Sequence, residues 1–244
     1  MAAGGAGAKP FGLRWGGRRD LKPQAFPIRT RILTPDDDLI QVLREYAGPL
    51  LGRGSVVAVS ETALAILQGR FVRPERVRPG PLARFLARFV SRTGSLSSPF
   101  ALQLVMQEHG RARVALAFLV GVITRLLLGR SGDLYRIAGP QASLVDDVTG
   151  TLPPYDKHIV LGPKDPQRVV EEIRRRTGSE AAVIDANDLG GVSIVAATRG
   201  VNRAHLREVF RTNPWGNGDE QTPILILRYS TSSAPPPRLR GLAS

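Results

Sequence analysis

The run Ala182-Val183-Ile184-Asp185-Ala186-Asn187-Asp188-Leu189-Gly190-Gly191 constrains the fold of this chain more than any other stretch. Apolar residues with the character of a buried strand pass directly into short oxygen-bearing side chains, and two glycines turn the backbone behind them. A strand ending this way presents carboxylates and an amide at its C-terminal edge, where open α/β sheets hold their ligands. Oxygen donors of this kind suit Mg²⁺ or Mn²⁺. Asn and Asp before Gly also form ordinary turns, so the run alone supports either a site or a turn.

The other elements follow from periodicity and punctuation. Ile28–Leu33 alternates like a strand, and Thr34-Pro35-Asp36-Asp37-Asp38 supplies an N-cap, a first-turn proline and acids for a helix ending at Gly48-Pro49. Ser55–Ser60 reads as a buried strand and Glu61–Gln68 as a helix. Pro81–Arg92 is expected as an amphipathic helix with Leu82, Phe85, Leu86 and Phe89 on one face. Pro99–Glu108 is expected to be helical, and Val114–Leu128 to be a buried helix. Leu134–Ala138 has strand character, as do His158–Leu161, Val192–Ala196 and Ile224–Leu227. Asp165-Pro166 and Asn202 each open a further helix. The sum is an α+β or α/β class with mixed sheets and packed helices. Residues 1–20, rich in Gly and Arg, are expected to be a disordered extension; 21–229 form the folded domain, and 230–244 a Pro-rich tail.

Composition removes several chemistries. The absence of cysteine excludes disulfides, zinc-thiolate sites and thiol nucleophiles, and the three histidines, His109, His158 and His205, lack metal-ligand spacing. Any chemistry therefore rests on carboxylates, amides, hydroxyls, Arg and Lys. The net charge of +13 invites a nucleic-acid reading, but the arginines are scattered, aromatics are sparse and no nucleic-acid-binding motif is present. We expect no nucleic-acid partner, and the same charge would attract anionic small molecules. The chain has no secretory signal, and Val114–Leu128 is shorter than the ~20 residues a membrane span needs. A soluble, cytoplasmic protein without a membrane partner is expected.

Several polar loops stand beside apolar strands, and their order is similar to that of the coenzyme F420-0:L-glutamate ligase family over roughly Ile28 to Arg228. Thr34–Leu39 resembles the family's Gly-Asp-Asp-Leu segment, and Val56–Thr62 its strand ending Ser-Ser-Lys beside the nucleotide. Val145-Asp146 with Thr149 resembles Val-Asp-x-Ser-Asn. Val183–Gly190 resembles the strand ending Asp-Thr-Phe-Gly, and Gly216–Pro223 the closing Gly-x-x-Asp-Glu-x-x-Pro element. The resemblance implies a GTP- (or ATP-) using ligase that adds L-glutamate to an activated carboxylate. It also implies a homodimer whose substrates are a nucleotide, glutamate and an anionic carboxylate acceptor. It places Mg²⁺ or Mn²⁺ on Asp146 and Asp188, with Asn187 and Asp185 as further oxygen donors. It places the nucleotide near Ser60, Glu61, Thr62, Thr149, Gly216, Asn217 and Gly218. No catalytic residue is assigned. Two departures stand out: Thr62 replaces the family lysine, and Asn187-Asp188 stands near the family's Asp-Thr. The first motivates an alternative, a non-catalytic nucleotide- or metal-binding protein on the same fold; a basic nucleic-acid binder ranks third.

Overall fold

A computed structural model of the chain describes residues 23–90, 96, 98–128, 133–145, 153–186, 191–211, 214–215 and 221–229. In chain order the elements are β1 (Gln24–Ile28), α1 (Leu39–Ala47), β2 (Ser55–Ser60), α2 (Glu61–Leu67), β3 (Phe71–Val72) and α3 (Pro81–Leu86). Then come α4 (Pro99–His109), α5 (Arg111–Leu128), α6 (Asp133–Ala138), α7 (Pro140–Leu144) and β4 (Ile159–Val160). The last are α8 (Pro166–Thr177), β5 (Glu180–Ala186), β6 (Val192–Ala197), α9 (Arg203–Phe210) and β7 (Ile224–Arg228). The class is α+β, as expected.

Five strands form one mixed sheet in the order β1-β7-β2-β5-β6, and β3 pairs with β4 in a separate ribbon. The β2–β5 pair is parallel, while β7 runs antiparallel to both β1 and β2, and β6 antiparallel to β5. The inner strands are covered on both faces, which is why they read as continuous apolar runs rather than as alternation. On one face Val57, Val59, Val183 and Ile226 pack with α1, α8 and the end of α2. On the other, Val56, Ala58, Ile184 and Leu225 pack with Leu206 and Phe210 of α9. Each of Ile224, Leu225, Ile226 and Leu227 is fully buried, a contribution of about 1.5–3 kcal/mol per side chain before chain entropy is counted. A second core gathers α3 to α7 with Val77, Ile159 and Leu161.

Some expectations are corrected. The first strand is Gln24–Ile28, not Ile28–Leu33; it carries Pro27, tolerated because β1 lies at the sheet edge. The cap of α1 is Asp38, whose carboxylate accepts from Gln41 N at 2.8 Å, so Thr34 and Pro35 precede the helix. Helix α3 ends at Leu86 and tightens into a 3₁₀ turn over Ala87–Phe89. That change of period rotates the face: Ala83 and Leu86 are buried, while Phe85 and Phe89 are exposed and stack edge-on against each other. Leu134–Ala138 is helical, not extended. It lies against α5 at Gly121, where any side chain would crowd Leu134, so packing overrides its strand propensity. Helix α5 is only half buried, since its outward face is bare.

Candidate functional site

The sheet topology brings distant segments to one edge. Because β2 and β5 are parallel with Ser60 opposite Ile184, Ser60-Glu61-Thr62 and Asp185-Ala186 leave the sheet side by side. The start of β7 lies at the same edge, with Ile224 opposite Val59, and so does the end of β1, with Ile28 opposite Ile224. Backbone bonds stitch this rim: Ser60 N donates to Pro223 O at 2.9 Å, and Thr30 N to Gln221 O at 3.0 Å. The β5–β6 turn, which carries Asn187 and Asp188, departs from the same edge.

Ser60 occupies the N-cap position of α2 but makes no side-chain capping bond, so its role as that helix's cap is not what positions its hydroxyl. Glu61 begins α2 and is buried, and Thr62 Oγ1 donates to Glu61 Oε2 at 3.3 Å. A buried carboxylate beside two hydroxyls favours a cation over a bare phosphate. Asp185 is half-buried at the end of β5, and burial raises its carboxyl above the ordinary carboxylate range. Among the described residues no lysine or arginine pairs with it. A desolvated carboxylate of this kind gains a charge partner from a divalent cation, so the donor set fits Mg²⁺ or Mn²⁺.

The loop after β1 is built for support. Asp37 accepts from Thr34 N at 2.8 Å and Thr34 Oγ1 at 3.1 Å, and pairs with Arg31 at 2.5 Å. The Arg31 guanidinium holds its carboxyl down to about 2, against the opposing effect of burial. Tyr155 reaches across to donate to Leu33 O at 3.0 Å. Arg70, which follows α2, is committed to Gly162 O at 2.5 Å and Glu108 at 2.6 Å, so it braces the rim and is not a free phosphate contact. His158 is partly buried with its ring edge-on to Phe71, a structural placement. Trp215 stacks against Phe210, and its carbonyl accepts from Thr222 Oγ1, which ties together the two flanks of the segment carrying Gly216, Asn217 and Gly218.

Ser60, Glu61, Thr62 and Asp185 thus lie together at one edge. Asp146, Thr149, Asn187, Asp188, Gly216, Asn217 and Gly218 lie outside the described residues. The stitching residues Thr30, Gln221 and Pro223 had no signal in the sequence, since their contribution is made by backbone atoms. No group of three potential metal ligands occurs among the described residues, and no described helix is long and apolar enough to cross a membrane.

A mixed sheet that collects its polar loops at one rim defines an α+β ligand-binding architecture. The chain belongs to the F420-0:gamma-glutamyl ligase family, whose pattern matches residues 27–188, more than half of the chain. Its class is therefore that of a ligase adding glutamate. The chain is also similar to a coenzyme F420:L-glutamate ligase of Methanopyrus kandleri, 26% identical over 246 residues that span 87% of this chain and 88% of that protein.

Proposed function

We propose that this protein uses GTP or ATP with Mg²⁺ or Mn²⁺ to join L-glutamate, or another amino acid, to a carboxylate acceptor such as F420-0, acting in the cytoplasm as a homodimer. The observation that carries this reading is the shared edge of β2 and β5, which sets Ser60-Glu61-Thr62 beside Asp185 in a chain of this ligase family. The acceptor carboxylate attacks the terminal phosphorus and the nucleoside diphosphate leaves, giving an acyl phosphate. The amine of glutamate then attacks the acyl carbon, phosphate departs, and the amine loses a proton as the amide forms.

Ser60 and Thr62 offer hydroxyl donors to the nucleotide, with Thr149, Gly216, Asn217 and Gly218 completing its surroundings. Asp146, Asp188, Asn187 and Asp185 hold the divalent cation, with Glu61 on the same side. The metal supplies positive charge against the negative charge gathered on the transferring phosphoryl group. Thr62 contributes a hydroxyl where the resembled pattern has lysine, and this favours a second reading, a nucleotide-binding protein without turnover.

The test incubates the full chain with GTP or ATP, Mn²⁺, glutamate and F420-0, following phosphate release and a product heavier by one glutamate. Turnover supports the ligase. Nucleotide binding by calorimetry without turnover on F420-0 or other carboxylate acceptors selects the second reading. Asp146→Ala, Asp188→Ala and Asp185→Asn are each expected to weaken Mn²⁺ binding about tenfold or more; unchanged affinity in all three removes the metal assignment.

A further inference from the structure

Helix α5 buries one face in its own fold, through Val114, Ala117 and Phe118, and leaves the other bare. Leu116, Leu119, Val122, Ile123, Leu126 and Leu127 are between 44% and 78% exposed. At 100° per residue these six fall within one stripe, which Ala112 and Ala115 extend toward the helix start, and no polar side chain interrupts it. Arg111, Arg113 and Arg125 project to its sides, and Arg113 is turned away to donate to Ile137 O at 2.9 Å. Together the stripe presents roughly 600 Å² of apolar surface, the upper end of what a monomer leaves in one patch.

We propose that this stripe seats a second copy of the same chain, α5 packing antiparallel on α5 about a two-fold axis near Leu119. The spacing of Leu116, Leu119, Ile123 and Leu126 is three, four, three, which is the seam that lets one helix interdigitate with another. A lipid surface requires no such spacing, and the stripe lacks the bordering Trp or Tyr that interfacial helices carry. A two-fold contact needs a patch that matches itself; an unbroken aliphatic stripe does so. Antiparallel pairing also sets Arg111 of one helix beside the C-terminal carbonyls of the other, where a cation is favoured. With its flanking residues the stripe approaches the ~800 Å² per partner of a stable pair. This inference gives a surface to the two-copy assembly proposed above, and its failure leaves the ligase reading untouched.

The test uses the full chain and sedimentation velocity. The protein is expected to be dimeric at tens of micromolar, and Leu119→Glu with Leu126→Glu to raise the dissociation constant at least about a hundredfold with an unchanged circular dichroism spectrum. Because the chain has no cysteine, single cysteines give a clean second measurement. Leu119→Cys is expected to crosslink to its own copy on oxidation. Leu126→Cys is not, because antiparallel pairing holds its two copies ~20 Å apart. A dimer that survives the charged pair, or crosslinking at Leu126 and not at Leu119, overturns the proposed surface while leaving a homodimer standing. A monomer at these concentrations overturns both, and a monomer that floats with phosphatidylglycerol vesicles identifies lipid as the occupant instead.

Discussion

Asp37 has the most strongly shifted carboxyl of the loop that follows β1, and its cost and benefit are readable from its neighbours. Arg31 first, then the two donors of Thr34, favour the ionised form and hold its carboxyl down to about 2. An unfolded aspartate titrates near ~3.9, so the folded state binds this proton less readily than the unfolded one. The resulting stability is fully present above about pH 4 and is lost as pH falls toward about 2. Asp37→Asn is expected to flatten the fall of the urea midpoint across that window. At neutral pH it should lower stability by about 1 kcal/mol, a figure kept small because Arg31 is half exposed. At this scale the sequence was partly legible. Thr34, Asp37 and Asp38 all read as caps; only the bond to Gln41 N separates the cap from the turn before it. Ser60 and Asp185 were each recognisable as strand ends, but their adjacency was not. They lie more than a hundred residues apart, and parallel pairing leaves no local trace.

Among the elements, the hinge between β6 and α9 carries a crowded polar contact at the edge of the sheet opposite the candidate site. Glu180, at the start of β5, is buried; it accepts from Thr198 Oγ1 and from Gly200 N and pairs with Arg174 Nε at 3.3 Å. A Cβ at Gly200 would stand inside contact distance of that carboxylate. The carboxylate cannot swing aside without giving up those partners. Gly200→Ala is expected to destabilise by about 1–3 kcal/mol, measured by urea denaturation. Adding Glu180→Gln should change the cost of Gly200→Ala, since the two sites share one contact. Elements with strong punctuation were legible in the sequence: α8 and α9 begin where Asp165-Pro166 and Asn202 announce them, and α8 stops at Gly178 in the left-handed region. Helix α6 was not, because short apolar segments fit strand and helix patterns equally until a neighbour such as α5 decides. The two-residue strands β3 and β4 are too short to carry a period at all.

At the scale of the whole molecule, the sheet and the helical core are separate hydrophobic clusters, and Arg70 is a polar tie between them. Its backbone carbonyl accepts from Leu161 N at 2.8 Å, its Nε donates to Gly162 O, and its terminal nitrogen pairs with Glu108 of α4. The side chain is almost fully buried, whereas Glu108 remains a quarter exposed. Removing the cation leaves a buried carbonyl without its donor and a carboxylate that can reach water only in part. Arg70→Met is therefore expected to cost about 2–3 kcal/mol, and Arg70→Met with Glu108→Gln less than that. The same variant should also uncouple the clusters. If Arg70 is the main polar link, hydrogen exchange in α4 should rise by more than exchange in β7, because β7 is held by the sheet alone. Equal loss of protection in both elements would mean that the two cores unfold as one unit and that Arg70 contributes only its local bonds.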